Sequence, residues 1–160
     1  MADPIIELIA VKIEEAINAV TTANGFNQDL TAVRPKRIDL KNDLNSDKTV
    51  FIRQEAAAVD EDVSTTDEIT WMQGFLLSAL VIDSDTETDS IDIRLNRIVA
   101  DILKQLLSDT YFTMGGLAEG VFPRSTEVAA YMFGQDYAGI DIRIEVRYTT
   151  DFGDPFSQNY

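Results

Sequence analysis

The residues with the most chemical potential in this chain are its acids. Asp83-Ser-Asp85-Thr-Glu87-Thr-Asp89 sets a carboxylate at every second position, the spacing by which calcium loops bring oxygen ligands to one ion. A loop of that kind starting at Asp83 needs Gly at position 88 and a bidentate Glu at position 94. The chain has Thr88 and Arg94 there, so the run reads as a solvated acidic turn leading into a helix. Gly115-Gly116 with Gly120 could cradle a phosphate, but the spacing of a phosphate loop is missing, no Lys follows, and the glycines come after a helix instead of a strand. Carboxylate pairs could in principle cleave glycosides, yet nothing singles out two of the 28 acids.

Other chemistries are removed outright. The chain has no Cys, so disulfides, thiolate nucleophiles and cysteine-ligated metals are excluded. It has no His, so it lacks the usual general base and the commonest transition-metal ligand. The Ser-His-Asp and Cys-His constellations cannot be built. The expectation is a protein that is not an enzyme and uses neither cofactor nor metal.

Net charge is −15, which argues against direct nucleic-acid binding, because phosphate contacts need basic patches. It also argues against anionic membrane surfaces and favours a basic partner or a wall that repels DNA. The acid-studded start, with Asp3, Glu7, Glu14 and Glu15 and no basic lead, predicts no secretory leader. No apolar run is long enough to span a bilayer.

These charges must be positioned by a folded core. At 160 residues with 45% hydrophobic content, the chain reads as one domain, 1–160, able to bury roughly 70% of its unfolded surface. Ile5, Ile6, Ile9, Ile13, Ala16, Ile17 and Val20 recur at three- and four-residue steps, the stripe of an amphipathic helix. Asp3 is its expected N-cap, Pro4 its first residue, and Asn24-Gly25 its end. "LTAVRPKRIDL" predicts a strand held at an edge or strand end by Pro35, and 39–48 a polar loop. "TVFIRQEAAAV" predicts a second strand and 60–68 an acidic loop.

"ITWMQGFLLSALVI" is the strongest buried strand. Phe75, Leu77, Ala79 and Val81 oppose Leu76, Leu80 and Ile82, so both faces are apolar. Helices can cover one; the other calls for more chain or a second subunit. Gly74 marks a bulge or bend in it. Asp89 is the expected cap of a second helix with Ile91, Leu95, Ile98, Val99, Ile102, Leu103, Leu106 and Leu107 inward, and Arg94, Arg97 and Lys104 outward. "STEVAAYMFG" and "IDIRIEVRYTT" close the chain as a hairpin. The order predicts an α+β fold: a mainly antiparallel or mixed sheet of about five strands with two helices on one face. Residues 150–160 form a C-terminal contact tail.

Charge is distributed unevenly. No Lys or Arg occurs from 54 to 93, where eleven acids lie, whereas 34–53 holds six of the 13 basic residues. A subunit with opposed charged sides can associate head to tail, and such contacts close into rings or grow into filaments. The residues expected at such contacts are Lys41, Lys48 and Arg53, facing Asp60, Glu61, Asp62 and Asp67. Phe152, Phe156 and Tyr160 in the tail are candidates for docking on a neighbour.

The opening helix running to "TTANGFNQDL", the "AVRPKRI" strand with its polar loop, "EITWMQGFLLSALVIDSD", the helix "DSIDIRLNRIVADILKQLLSD" and the closing "IDIRIEVRYTTDFGDPF" together resemble a tail terminator (tail-to-head joining) protein of long-tailed bacteriophages. The resemblance lies in element order and texture over nearly all of the chain. It implies a six-fold homo-oligomeric ring capping the tail tube at its head-proximal end, halting polymerisation and presenting a surface to the head. The implied partners are the tail tube protein and a head completion or connector protein. DNA would pass through the lumen without specific binding, and the protein would reside in the virion tail after assembly in the host cytoplasm. A second reading is a monomeric acidic binding protein, a DNA mimic that blocks a basic nucleic-acid-binding partner. A carboxylate enzyme is the third.

Overall fold

The computed structural model describes residues 2–35, 48–82, 88–128 and 137–158. Helix α1 spans Ile5–Asn18, followed by strands β1 (Thr31–Val33), β2 (Thr49–Val59) and β3 (Glu68–Ile82). Helix α2 (Ile91–Leu106) leads to β4 (Gly120–Val128) and β5 (Tyr137–Asp151). The strands form one mixed sheet in the order β1-β2-β3-β5-β4. Among the described residues no helix is long and apolar enough to cross a membrane.

The α+β fold expected from the sequence is present, and its sheet is mixed. All described pairings are antiparallel except β1 with β2, which run parallel from Thr31 opposite Thr49 to Val33 opposite Phe51. A polar connection does not by itself dictate a hairpin; this one spans enough residues to return the chain to the same end.

The two central strands explain the core. In β5, Ile140, Ile142, Ile144, Val146 and Tyr148 alternate inward and are buried. They lie opposite Ala79, Leu77, Phe75, Gln73 and Trp71 of β3. Onto this face pack Ile9, Ile13 and Ile17 of α1 and Leu95, Ile98, Ile102 and Leu106 of α2. Period-two burial from strands meets period-3.6 burial from helices in one cluster.

Local chemistry departs from expectation at the helix ends. The first helix begins one residue later, with Pro4 in the cap position and no capping side chain. It ends at Asn18; Asn24 and Gly25 close a separate 3-10 turn at Thr22–Asn24. Ser90, not Asp89, caps α2, accepting from the Ile93 N–H. Asp89 instead pairs with Arg97 at 2.5 Å. Arg94 is buried, not outward, and donates to the Ile82 carbonyl at 3.0 Å. Asp101, on the inner side of the same helix, is 2% exposed and accepts from the Asn27 N–H and side-chain amide at 2.9 and 2.8 Å.

Gly74 is not itself bulged: β3 stays in register with β5 straight through it. The irregularity lies in β2 between Gln54 and Ala57. A Cβ at Gly74 would come within 3.2 Å of the Glu55 Cβ and 3.3 Å of the Ala56 carbonyl, so the bulge presses on the one residue without a side chain. The buried Gln73 amide donates to the Glu55 and Gly74 carbonyls at 2.7 and 2.9 Å, satisfying groups that a bulge frees.

Of the two covers expected for the second face of β3, more chain or a second subunit, the chain itself supplies much. Leu76 is 6% exposed; in register it sits between Arg53 of β2 and Arg143 of β5. Long cationic side chains lay their methylene stems over apolar neighbours. Leu80 and Ile82 are half-buried. The chain thus shields much of this face itself.

Candidate functional site

The 60–68 loop and the 151–158 turn carry seven carboxylates (Asp60, Glu61, Asp62, Asp67, Glu68, Asp151 and Asp154) and no Lys or Arg. The fold brings the two segments together at one end of the sheet. Glu68 lies opposite Asp151 at the ends of β3 and β5, and the Phe152 N–H donates to the Asp67 carbonyl at 2.7 Å.

Each segment has a fixed backbone. In the acidic loop, Asp60 N–H donates to the Thr70 carbonyl at 2.9 Å, and the Asp60 carbonyl accepts from Ser64 N–H at 3.0 Å and from its hydroxyl at 2.7 Å. The Thr65 hydroxyl accepts from the N–H groups of Asp67 and Glu68 at 3.3 and 3.1 Å. Ser and Thr hydroxyls substitute here for the strand bonds that the loop forgoes.

The tail is a closed turn. Asp154 N–H donates to the Asp151 carbonyl at 3.1 Å, and Asp151 N–H to the Ser157 carbonyl at 3.1 Å. The Ser157 hydroxyl donates to the Asp151 carboxylate at 2.5 Å, and Phe156 N–H to the Asp154 carboxylate at 3.0 Å. The Pro155 carbonyl accepts from Ile5 N–H at 3.0 Å, giving the uncapped start of α1 a partner. The Gln158 amide donates to the Leu117 and Thr149 carbonyls at 2.9 and 2.8 Å. On this pinned turn Phe152 is 66% and Phe156 47% exposed. Val59 and Val63, on β2 and the acidic loop, are exposed too.

Cations reach this end from β5. Arg147 lies 3.5 Å from Asp60 and, through Nε, 2.9 Å from Glu119, close enough for an ion pair but off the line of a hydrogen bond. Glu119 also accepts from the Thr149 hydroxyl at 2.7 Å. Further along the open face Arg143 stands 3.6 Å from Glu55 and 3.2 Å from Glu127, and Arg124 pairs with Glu145. The uncovered side of β5 is thus a ladder of alternating charges.

Asp60, Glu61, Asp62, Asp67, Phe152 and Phe156 therefore share one end. Lys48 precedes β2 and donates its N–H to the Leu80 carbonyl, at the opposite end of that strand, roughly 35 Å away at the usual rise per residue. Arg53 lies between, exposed, opposite Leu76. Lys41 and Tyr160 lie outside the described residues. The long acidic stretch read from the sequence is not one surface. Strand β3 carries the chain from the 60–68 loop to the other end of the sheet, where Asp89 and Asp92 introduce α2; Asp83, Asp85 and Glu87 lie outside the described residues.

Other motifs resolve into structure. Met114, Gly115 and Gly116 have φ of 52°, 71° and 95°, a left-handed run that drops the Met114 side chain into the core, fully buried. Among the described residues no three acids gather closely enough to hold a metal ion. Sequence reasoning missed the pairing of Arg34 with Glu7, a bidentate contact at 2.6 and 2.8 Å. That contact holds the Glu7 carboxyl below its usual range, the guanidinium hydrogen bond being the main cause. Asp29 is likewise lowered, mainly by the Thr22 N–H. No local signal announces a pair 27 residues apart. The chain matches no protein-family model and no curated protein sequence.

Proposed function

We propose that this chain is a structural subunit of a ring at the head-proximal end of a phage tail tube, where it stops tube growth and provides the surface that joins tail to head. The observation that carries this reading is the acidic, aromatic end of the sheet, where Asp60, Glu61, Asp62, Asp67, Phe152 and Phe156 stand together on a fixed backbone. Phe152 and Phe156 are large apolar groups held out toward water. Pinned aromatics cost little entropy to bury against a partner, and charge complementarity selects which partner. The resemblance in element order to tail terminators supplies the place in the virion. In this reading the tube protein and a head connector are its partners, the ring is six-fold, DNA passes through without specific binding, and no step of catalysis is involved.

Electron microscopy of tails assembled with and without the protein tests the proposal. Tubes of uncontrolled length in its absence are expected; tubes of unchanged length and normal joining to heads would overturn it. A strict monomer that binds a basic DNA-binding protein tightly would favour the DNA-mimic reading instead.

A further inference from the structure

We infer that the subunits of the ring meet edge to edge, the outer edge of β2 in one copy adding as a strand to the outer edge of β4 in the next. This deepens the ring reading and rests on it. Strand β2 is paired on its outer side only at Thr49, Val50 and Phe51. From 52 to 59 its outer edge has no partner strand among the described residues, and every side chain from 53 to 59 is exposed. Three consecutive alanines lie there, with no Pro and no Lys, so the only devices blunting this edge are the irregularity between Gln54 and Ala57 and the charges of Arg53 and Glu55. At the far side of the sheet the nine-residue β4 has no outer partner strand among the described residues, and from 122 to 128 all of it but the half-buried Ser125 is exposed. Pro123 removes one donor from it and leaves the rest.

Direction, charge and shape all agree. Strands β2 and β5 run one way, β3 and β4 the other. Rotation about an axis along the strands preserves both direction and face, so the β4 of a neighbouring copy arrives antiparallel to β2, the pairing the rest of the sheet favours. An antiparallel register setting Arg53 against Glu127 brings Glu55 within one residue of Arg124. All four are on the uncovered face, where Glu55 and Glu127 already flank Arg143 and Arg124 pairs with Glu145. The same register lays the exposed Phe122 against Ala58. It also sets the irregularity in β2 between Gln54 and Ala57 level with that in β4 between Pro123 and Ser125. Two kinked edges of similar length, with opposite charge order, are matched as strand-addition partners. The contact is heterologous, and such contacts repeat until the ring closes.

Because the chain has no Cys, the test can be covalent. Gln54→Cys and Thr126→Cys placed in one chain face each other in this register. Oxidation is expected to give a ladder of linked oligomers ending at one closed size, while Lys12→Cys with Thr126→Cys gives none. Equal linking in that control would overturn the inference. Assembly seen by light scattering without linking would overturn it while leaving the ring reading intact. No assembly in solution or on tube ends would sink both. Arg53→Glu or Glu127→Arg alone should raise the concentration needed for assembly roughly tenfold, and the double reversal should restore it. Single reversals that assemble like the parent chain, with unchanged circular dichroism, would also overturn the inference.

Discussion

The two sides of β5 differ as much as any two regions of this molecule. Ile140, Ile142, Ile144 and Val146 point under the helices and are buried. Asp141, Arg143, Glu145 and Arg147, each one residue away, remain partly open and take part in cross-strand polar contacts. One side excludes water and thereby supplies stability in proportion to buried area. The other exchanges hydrated charges for partly hydrated pairs, which contribute little to stability. What the charged side can supply is discrimination, because a wrongly placed like charge is repelled. The comparison assigns folding to one face of the strand and, on the ring reading proposed above, partner choice to the other.

The sharpest way to break that assignment is to truncate one residue on each face. Ile142→Ala should lower unfolding free energy by about 2–5 kcal/mol, since its cavity would lie in the fully packed layer. Arg143→Ala, its neighbour, should cost below about 1 kcal/mol, its ion pairs being partly exposed. Urea denaturation of both variants measures the contrast; equal losses would erase it. Next in size is Asp101→Ala, expected to cost about 1–3 kcal/mol by the same measurement. It removes the acceptor for two Asn27 donors at a buried site.

Smaller again is Gly74→Ala, at about 1 kcal/mol. Its Cβ would press on backbone and Cβ atoms of the β2 bulge, which are less able to yield than a side-chain tip. Thermal melting would report the loss, and a neutral result would mean the bulge relaxes freely. The smallest effect concerns acid. The Arg34 guanidinium holds the Glu7 carboxyl below its usual range. A depressed folded value means stability that is present above the unfolded value and is lost as pH falls through the folded one. Glu7→Gln should therefore cost a little stability at neutral pH and make the acid-induced loss shallower below about pH 4.5. Unfolding curves at a series of pH values would show this, and identical slopes for parent and variant would refute it.

Several of these features are legible in the sequence alone. The stripe in α1, the alternation in β5 and the two-faced run in β3 are written in residue periodicity, which local geometry translates directly into faces. Helix ends were less legible. Asp89 and Ser90 are adjacent and both are good caps, and the choice between them depended on Arg97 being in reach of Asp89. Arg94 looked like a surface residue until the end of β3 provided a carbonyl for its guanidinium. The fixed backbone of the tail is not legible in the sequence because its bonding partners, Ile5, Asp67, Leu117 and Thr149, are scattered along the chain.

By itself the sequence determined which residues turn toward a core, which chemistries are unavailable for want of Cys and His, and how acidic the molecule is. Those properties follow from side-chain type and from spacings of a few residues. Only the tertiary structure decided that β1 runs parallel to β2, that the acidic stretch is divided between two ends of a long strand, and that Phe152 sits beside Asp67. Such facts depend on segments far apart in the chain, whose meeting is set by how the whole apolar surface can be buried at once, not by any local preference.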